Sequence, residues 1–179
     1  MAVQQERHKR AVPALDGEGL ERLAVNYAGR YAVTRAKLKA YLVRKLRERG
    51  WGSDGEPPID SLVERFARLG YVDDAAFATA RAESLSRRGY GARRVETALK
   101  VAGIEEADGA AALEHAAAEA WKAALRFAER RRIGPFADVY EERPKREKKL
   151  AAMLRAGHPL GIARKIVAAR PGEFPEADD

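Results

Sequence analysis

Apolar side chains recur every three to four residues along most of the chain, the spacing that places them on one face of an α-helix. A first stripe contains Leu20, Leu23 and Tyr27, and a second contains Leu38 and Leu42. Val, Ile and Thr nowhere form the alternating run that is typical of a strand. The pattern therefore predicts an all-α fold.

Glycine residues end the predicted helices at a regular spacing. Gly50, Gly103 and Gly157 each follow an apolar stripe, about 50 residues apart, and glycine in this position commonly ends a helix. Leu46 and Leu99 precede the first two glycines by the same number of residues, whereas the matching leucine of the third unit lies one place closer to its glycine. These spacings predict tandem helical units, of which the third is a diverged copy with a shifted stripe.

The three units are expected to pack side by side, each burying its stripe against its own helices and those of its neighbour. Polar sequence without helical periodicity flanks them at both ends. The predicted organisation is a disordered basic arm at 1–15, three-helix repeats at 16–72, 73–120 and 121–170, and a disordered acidic tail at 171–179.

The composition makes the surface of the chain strongly basic. Lys and Arg number 34 against 27 Asp and Glu, which gives a net charge of +7 and a pI near 9.8. Such a surface favours a polyanion or an acidic protein face as partner. The alternative is that the arginines only keep a thin helical protein soluble, so the clustering of basic residues must decide.

The chain lacks cysteine, a secretory signal and a membrane-spanning stretch, which limits where it acts and what chemistry it can use. The chain has no Cys, which excludes disulfides, thiolate zinc sites and a cysteine nucleophile. The polar segment 1–10 does not resemble a secretory signal, and no apolar stretch approaches the ~18 residues of a membrane span. We therefore expect a cytoplasmic protein without a membrane segment.

The residues that commonly carry catalysis are scattered. His8, His115 and His158 lie far apart without a carboxylate at metal-ligand spacing, and His158 is interpreted as a turn residue. The adjacent carboxylates Asp73 and Asp74 fit the start of a helix better than a general acid and base. No glycine-rich phosphate loop follows a predicted strand. We therefore expect no enzymatic activity, no cofactor and no metal.

Basic side chains concentrate in a few short segments. In the most distinctive one, arginines surround Tyr90 in a turn whose two glycines leave the backbone open to close approach. Arginine forks suit carboxylates and phosphates, while helix-capping arginines on a solvated turn are the alternative interpretation. Further clusters at 126–132 and 145–149 form either a binding surface or a solvated helix face. The candidate contact residues are Arg87, Arg88, Tyr90, Arg93, Arg94, Lys37, Arg44, Lys45, Arg130, Arg131, Lys145 and Lys148.

Several of these stretches resemble the RecX family of bacterial regulators of the RecA recombinase. One signature of the family resembles LGYVDD at 69–74, followed by AFA at 76–78. A second resembles RRGYGARRV at 87–95, completed by Leu99, Gly103 and Ile104. The resemblance extends over residues 20–170 and is strongest over 69–104.

The resemblance implies a fold of three tandem three-helix repeats in an elongated, curved array, and a non-enzymatic role. Members of this family bind the RecA filament on single-stranded DNA and damp its ATPase, strand-exchange and coprotease activities. They thereby modulate recombinational repair and the SOS response. For this chain the resemblance implies the RecA filament as partner, and we expect a monomer that contacts it through basic residues. The alternative is a helical repeat protein that binds DNA weakly and without sequence specificity, with a steep salt dependence.

Overall fold

The structure, a computed structural model, describes residues 13–177 of the chain. Within this range it contains nine α-helices, a 3-10 turn at Gly134–Phe136 and no strand, which confirms the all-α prediction. The chain divides after Val72 into two compact units, at the residue where the first predicted repeat ends. The helices are α1 Gly17–Ala28, α2 Arg35–Arg49, α3 Ile59–Arg68, α4 Asp74–Arg87, α5 Ala92–Ala102, α6 Glu106–Ala118, α7 Ala120–Arg131, α8 Arg143–Arg155 and α9 Leu160–Ala168.

The first unit contains α1, α2 and α3, with α1 and α3 both packed against α2. Side-chain caps fix the residues at which two of these helices begin. Asp16 accepts a hydrogen bond from the N–H of Gly19 at 2.7 Å, and Thr34 accepts one from the N–H of Lys37 at 3.2 Å. The core of the unit includes Leu20, Leu38, Leu42, Leu62, Val63 and Phe66.

The first unit begins earlier than the sequence predicts. Leu15, assigned to the disordered arm, is only 1% exposed. Its N–H donates to the carbonyl of Gly50 at 3.0 Å, and its carbonyl accepts from the N–H of Gly52 at 2.9 Å. A buried leucine with two backbone hydrogen bonds offsets the entropy lost by ordering the chain end. Residues 1–12 of the predicted arm lie outside the described residues.

The second unit begins with α4, α5 and α6, which correspond to the predicted second repeat. Asp73 accepts a hydrogen bond from the N–H of Ala76 at 2.8 Å and is therefore the N-cap of α4. α4 and α6 pack closely along each other because most of their buried residues are small, among them Ala78 and Ala112. The helical geometry is interrupted at Glu119, so that α6 and α7 are separate helices.

The remaining helices, α7, α8 and α9, correspond to the predicted third repeat. Met153 is fully buried and lies at the same distance before Gly157 as Leu99 lies before Gly103. Leu154 is 36% exposed. The predicted shift of the stripe is therefore wrong, because the flexible thioether of Met153 takes the core position that the leucine pattern assigned elsewhere.

The predicted acidic tail begins with ordered contacts. The N–H of Gly172 donates to the carbonyl of Pro135 at 2.9 Å. The ring of Phe174 meets the ring of Phe136 edge-on, with their centroids 5.2 Å apart. The start of the segment 171–179 is therefore packed on the second unit instead of being disordered. Residues 178–179 lie outside the described residues.

Candidate basic groove in the second unit

The turn between α4 and α5 is shaped by its two glycines. Gly89 has a φ of 72°, the left-handed conformation that commonly ends a helix. The N–H of Tyr90 donates back to the carbonyl of Leu85 at 3.0 Å, and the N–H of Gly91 donates to the carbonyl of Ala156 at 2.9 Å. The turn is therefore held against the end of α8.

Gly91 is required by a close contact, since its φ of −80° is open to any residue. A Cβ atom at this position would overlap the carbonyl of Gly157, and one on Gly89 would lie 2.8 Å from the backbone nitrogen of Phe127. The close approach that these glycines permit is therefore made by the third repeat of the same chain. The turn therefore packs the second repeat tightly against the third.

His158 adds a side-chain hydrogen bond to this contact. The residue is fully buried, its Nε2 lies 3.1 Å from the carbonyl of Gly89, and its ring lies 5.3 Å from that of Phe127. Burial lowers the pKa of His158 from 6.5 to about 4, although the hydrogen bond with Gly89 acts in the opposite direction. His158 is therefore neutral at pH 7. It is a turn residue, as the sequence predicts, and also a buried link between repeats.

A groove of about 420 Å³ opens beside this turn. Four of the residues that line it are arginines, and no acidic side chain is among them. The arginines come from α5, α7 and α8, so the groove forms only when these three helices pack together. The lining residues are Tyr90, Arg94, Phe127, Arg130, Arg131, Ala152, Arg155 and Ala156.

The contacts around the groove orient its arginines. Arg130 donates a hydrogen bond to the backbone carbonyl of Arg88. The guanidinium of Arg88 lies 5.3 Å from the centre of the Tyr90 ring, and that of Arg131 lies 5.8 Å from the centre of the Phe127 ring. A guanidinium carries five N–H donors, so one such contact leaves donors for a phosphate or a carboxylate. The groove is suited to an anionic ligand.

The structure brings Tyr90, Arg94, Arg130 and Arg131 of the predicted contact residues together around the groove. Arg155 also lines it and was not predicted, because in the sequence it stands alone among apolar residues. A signal was nevertheless present, since Arg155 lies in the last turn of the helix that ends before Gly157. Arg155 lines the groove next to Ala156.

The other predicted contact residues do not line the groove. Arg87 is exposed and pairs with Glu83 at 3.4 Å, and Arg88 adjoins the groove through the contacts described above. Arg93, Lys145 and Lys148 are exposed elsewhere on the second unit, while Lys37, Arg44 and Lys45 lie on α2 of the first unit.

A known protein family matches the region that contains the turn between α4 and α5. A family model described as the second three-helix domain of RecX matches residues 73–113. The regulatory protein RecX of Myxococcus xanthus is 33% identical over 163 residues, which cover 85% of this chain and 86% of that protein. The chain belongs to the RecX family.

Further RecX proteins resemble this RecX family member in sequence and fold. The regulatory protein RecX of Agrobacterium fabrum is 27% identical over 140 residues, covering 76% of this chain and 74% of that protein. The crystal structure of RecX from Lactobacillus salivarius has a TM-score of 0.61 at 19% identity and covers 84% of this chain and 93% of its own. Another crystal structure, of a regulatory protein RecX, has a TM-score of 0.56 at 18% identity, covering 84% and 72%. The shared feature is the helical repeat fold.

The described part of this RecX chain has neither a membrane-spanning helix nor a metal-binding group. None of its helices is both long and apolar enough to cross a membrane. Nor do residues 13–177 contain a group of three or more His, Cys, Asp or Glu side chains placed to hold a metal ion.

Proposed function

We propose that this RecX family chain is a non-enzymatic regulator that binds the RecA filament on single-stranded DNA. Binding inhibits or modulates the ATPase, strand-exchange and coprotease activities of the filament, and so acts on recombinational repair and the SOS response. The proposed partner implies that the chain acts in the cytoplasm. Membership of a family whose curated relatives are called regulatory proteins supports the proposal.

The observation that carries the proposal is the groove with four arginines and no carboxylate in its lining. Like charges concentrated in a concave surface create a positive potential that attracts DNA phosphates or the acidic face of a protein. The groove also has apolar lining from Phe127, Ala152 and Ala156. A site that combines arginines with apolar lining residues is typical of a protein interface.

The test is the RecA ATPase on single-stranded DNA, titrated with the wild-type chain and with two double variants. Arg94→Glu with Arg155→Glu reverses two charges in the groove, and we expect it to weaken inhibition by at least about tenfold. Arg143→Glu with Arg164→Glu is the matched control, because it changes the net charge equally at two exposed residues of the second unit outside the groove. Circular dichroism checks that both variants fold.

The two variants separate a specific groove from general basicity. An equal loss of inhibition in both would mean that net charge alone attracts the chain, and full inhibition by the groove variant would exclude the groove as the contact. The alternative of sequence-independent DNA binding is tested without RecA. A tight footprint of the wild-type chain on duplex DNA, weakening steeply with salt, would favour that alternative.

A further inference from the structure

Three tyrosines of the first unit contact one another, two of them stacked and the third tilted. The rings of Tyr27 and Tyr41 lie parallel, with centroids 4.1 Å apart and an interplanar angle of 4°. The ring of Tyr31 also contacts that of Tyr27, with centroids 5.8 Å apart and an interplanar angle of 56°. The guanidinium of Arg44 lies 5.5 Å from the centre of the Tyr41 ring. We call Tyr27, Tyr31 and Tyr41 the tyrosine ladder.

The ladder is anchored at one end and open at the other. Tyr27 and Tyr41 are partly buried against the core of the first unit. Tyr31 follows α1 and is 61% exposed. Tyr27 is held by packing, and its contact with Tyr31 restricts the ring of Tyr31 while leaving it exposed to solvent. A ligand that stacks on Tyr31 therefore costs little side-chain entropy. The exposed ring of Tyr31 offers a face on which a planar ligand can stack.

The surface beside the ladder is rich in cations. Helix α2 carries seven Lys and Arg residues and one acidic residue, Glu48. Lys37 and Lys45 are separated from Tyr41 by one helical turn on either side, so the three side chains share one face of the helix. Glu48 lies 2.6 Å from the Nζ of Lys45 and 3.7 Å from the Nε of Arg44.

We propose that the tyrosine ladder and the adjoining cations of α2 bind single-stranded nucleic acid. An unpaired base stacks on Tyr31, and the neighbouring phosphates pair with Lys45 and Arg44. Unpaired bases have free faces, whereas the bases of a duplex are stacked on one another, so aromatic platforms with flanking cations select single strands. The site goes beyond the proposed function, because it lies in the first unit and uses none of the residues of the groove.

Glu48 competes with a bound phosphate for the cations of this site. The hydrogen bond from Lys45 lowers the pKa of Glu48, and the nearby charges of Lys45 and Arg44 lower it further. Its carboxylate is therefore ionised at pH 7 and occupies the cations that would meet a phosphate. Binding of a nucleic-acid strand exchanges this carboxylate for a phosphate oxygen.

The first experiment separates base stacking from phosphate contact. Fluorescence anisotropy measures binding of the whole chain, without RecA, to labelled oligothymidylate, oligouridylate and an abasic strand of equal length. Stacking predicts that both base-bearing strands bind at least about fivefold more tightly than the abasic strand. Equal binding of all three strands by the wild-type chain, or binding of none, would overturn the proposal.

Variants then locate the stacking residue. Tyr31→Ala is expected to abolish the preference for bases, and Tyr31→Phe, which keeps the ring, to retain it. Tyr71→Ala is the matched control, since Tyr71 is an exposed tyrosine of the same unit. The groove variant with Arg94→Glu and Arg155→Glu should also retain the preference, so a failure of this site and a failure of the proposed function are distinguishable. An undiminished preference in Tyr31→Ala would contradict the ladder.

The second experiment tests the competitor by a gain of affinity. Glu48→Gln removes the negative charge beside Lys45 and should strengthen binding of oligothymidylate by about two- to fivefold at low salt. Glu96→Gln is its control, because Glu96 pairs with Lys100 in the same way on α5. If Glu48→Gln gains no more than Glu96→Gln, the cations around Glu48 do not contact the strand.

Discussion

Two helix ends in this chain share the dipeptide Gly-Tyr and have the same local geometry. Gly70-Tyr71 ends α3, and Gly89-Tyr90 ends α4. The glycines have φ angles of 75° and 72°. In each, the tyrosine N–H donates to a carbonyl five residues earlier, at 3.0 Å. This is the hydrogen bond by which a left-handed glycine commonly ends a helix.

The surroundings of the two ends differ. A Cβ on Gly70 would meet nothing within 4 Å, and Tyr71 is 57% exposed. Gly89 is buried against the backbone of α7, and Tyr90 packs against the cores of both the second and the third repeat. The same local motif therefore only stops a helix in the first unit, whereas in the second unit it also joins two repeats.

The largest expected difference is between Gly89→Ala and Gly70→Ala. Both place alanine in the left-handed conformation, which costs about 1 kcal/mol. Gly89→Ala also forces a Cβ to within 2.8 Å of the Phe127 nitrogen and 3.1 Å of the Ala123 carbonyl. We expect it to lower the free energy of unfolding by more than about 3 kcal/mol, and Gly70→Ala by about 1 kcal/mol.

Urea unfolding can follow each unit through its own tryptophan. The chain has two tryptophans, with Trp51 on the core of the first unit and Trp121 on that of the third repeat. Trp121→Phe leaves Trp51 as reporter for Gly70→Ala, and Trp51→Phe leaves Trp121 for Gly89→Ala. Equal losses for the two glycine variants would show that the contact with α7 adds nothing.

The tyrosines that follow these glycines should differ by a smaller amount. Tyr90→Ala removes a half-buried ring from between two cores, and we expect a loss of roughly 2 kcal/mol in the free energy of unfolding. Tyr71→Ala removes an exposed ring that touches Phe66 at 5.3 Å between centroids, and should cost less than about 1 kcal/mol. The same urea experiment measures both. A cost for Tyr71→Ala as large as that for Tyr90→Ala would remove the distinction between the two ends.

Helix ends are also the part of this fold that the sequence predicts best. Helix ends depend on a few neighbouring residues, so Gly50, Gly103 and the cap Asp73 were predicted from the chain alone. The position of Met153 was not, because a leucine next to it satisfied the same pattern. Periodicity identifies an apolar face, but packing decides between neighbours at its edge.

The groove was predictable only in part, for the same reason. Arg94, Arg130 and Arg131 belong to basic clusters visible in the sequence, whereas Arg155 is isolated and meets them only through the packing of α8 against the turn. The tyrosine ladder was not predicted, because Tyr41 joins Tyr27 from a different helix. Residues that meet across helices leave no spacing signal along the chain.

The two helix ends should also differ in their response to mild acid. His158 contacts Gly89 in the second unit. With the pKa of His158 at about 4 in the folded chain and 6.5 as its ordinary value, the unfolded chain binds a proton that the folded chain does not. The free energy of unfolding should therefore fall as the pH decreases from about 6.5 toward 5.5, with a slope that approaches about 1.4 kcal/mol per pH unit.

Urea unfolding of Trp51→Phe at a series of pH values, followed through Trp121, measures this slope. His158→Gln keeps an amide that can donate to the Gly89 carbonyl and has no titrating group, so its stability should be constant over the same interval. The carboxylates with lowered pKa values, Glu48, Glu96 and Glu119, titrate below their ordinary value of 4.5. They therefore change the stability mainly below about pH 5.5. An equal slope in His158→Gln would mean that another group carries the acid response, and that the turn contact is indifferent to the protonation of His158.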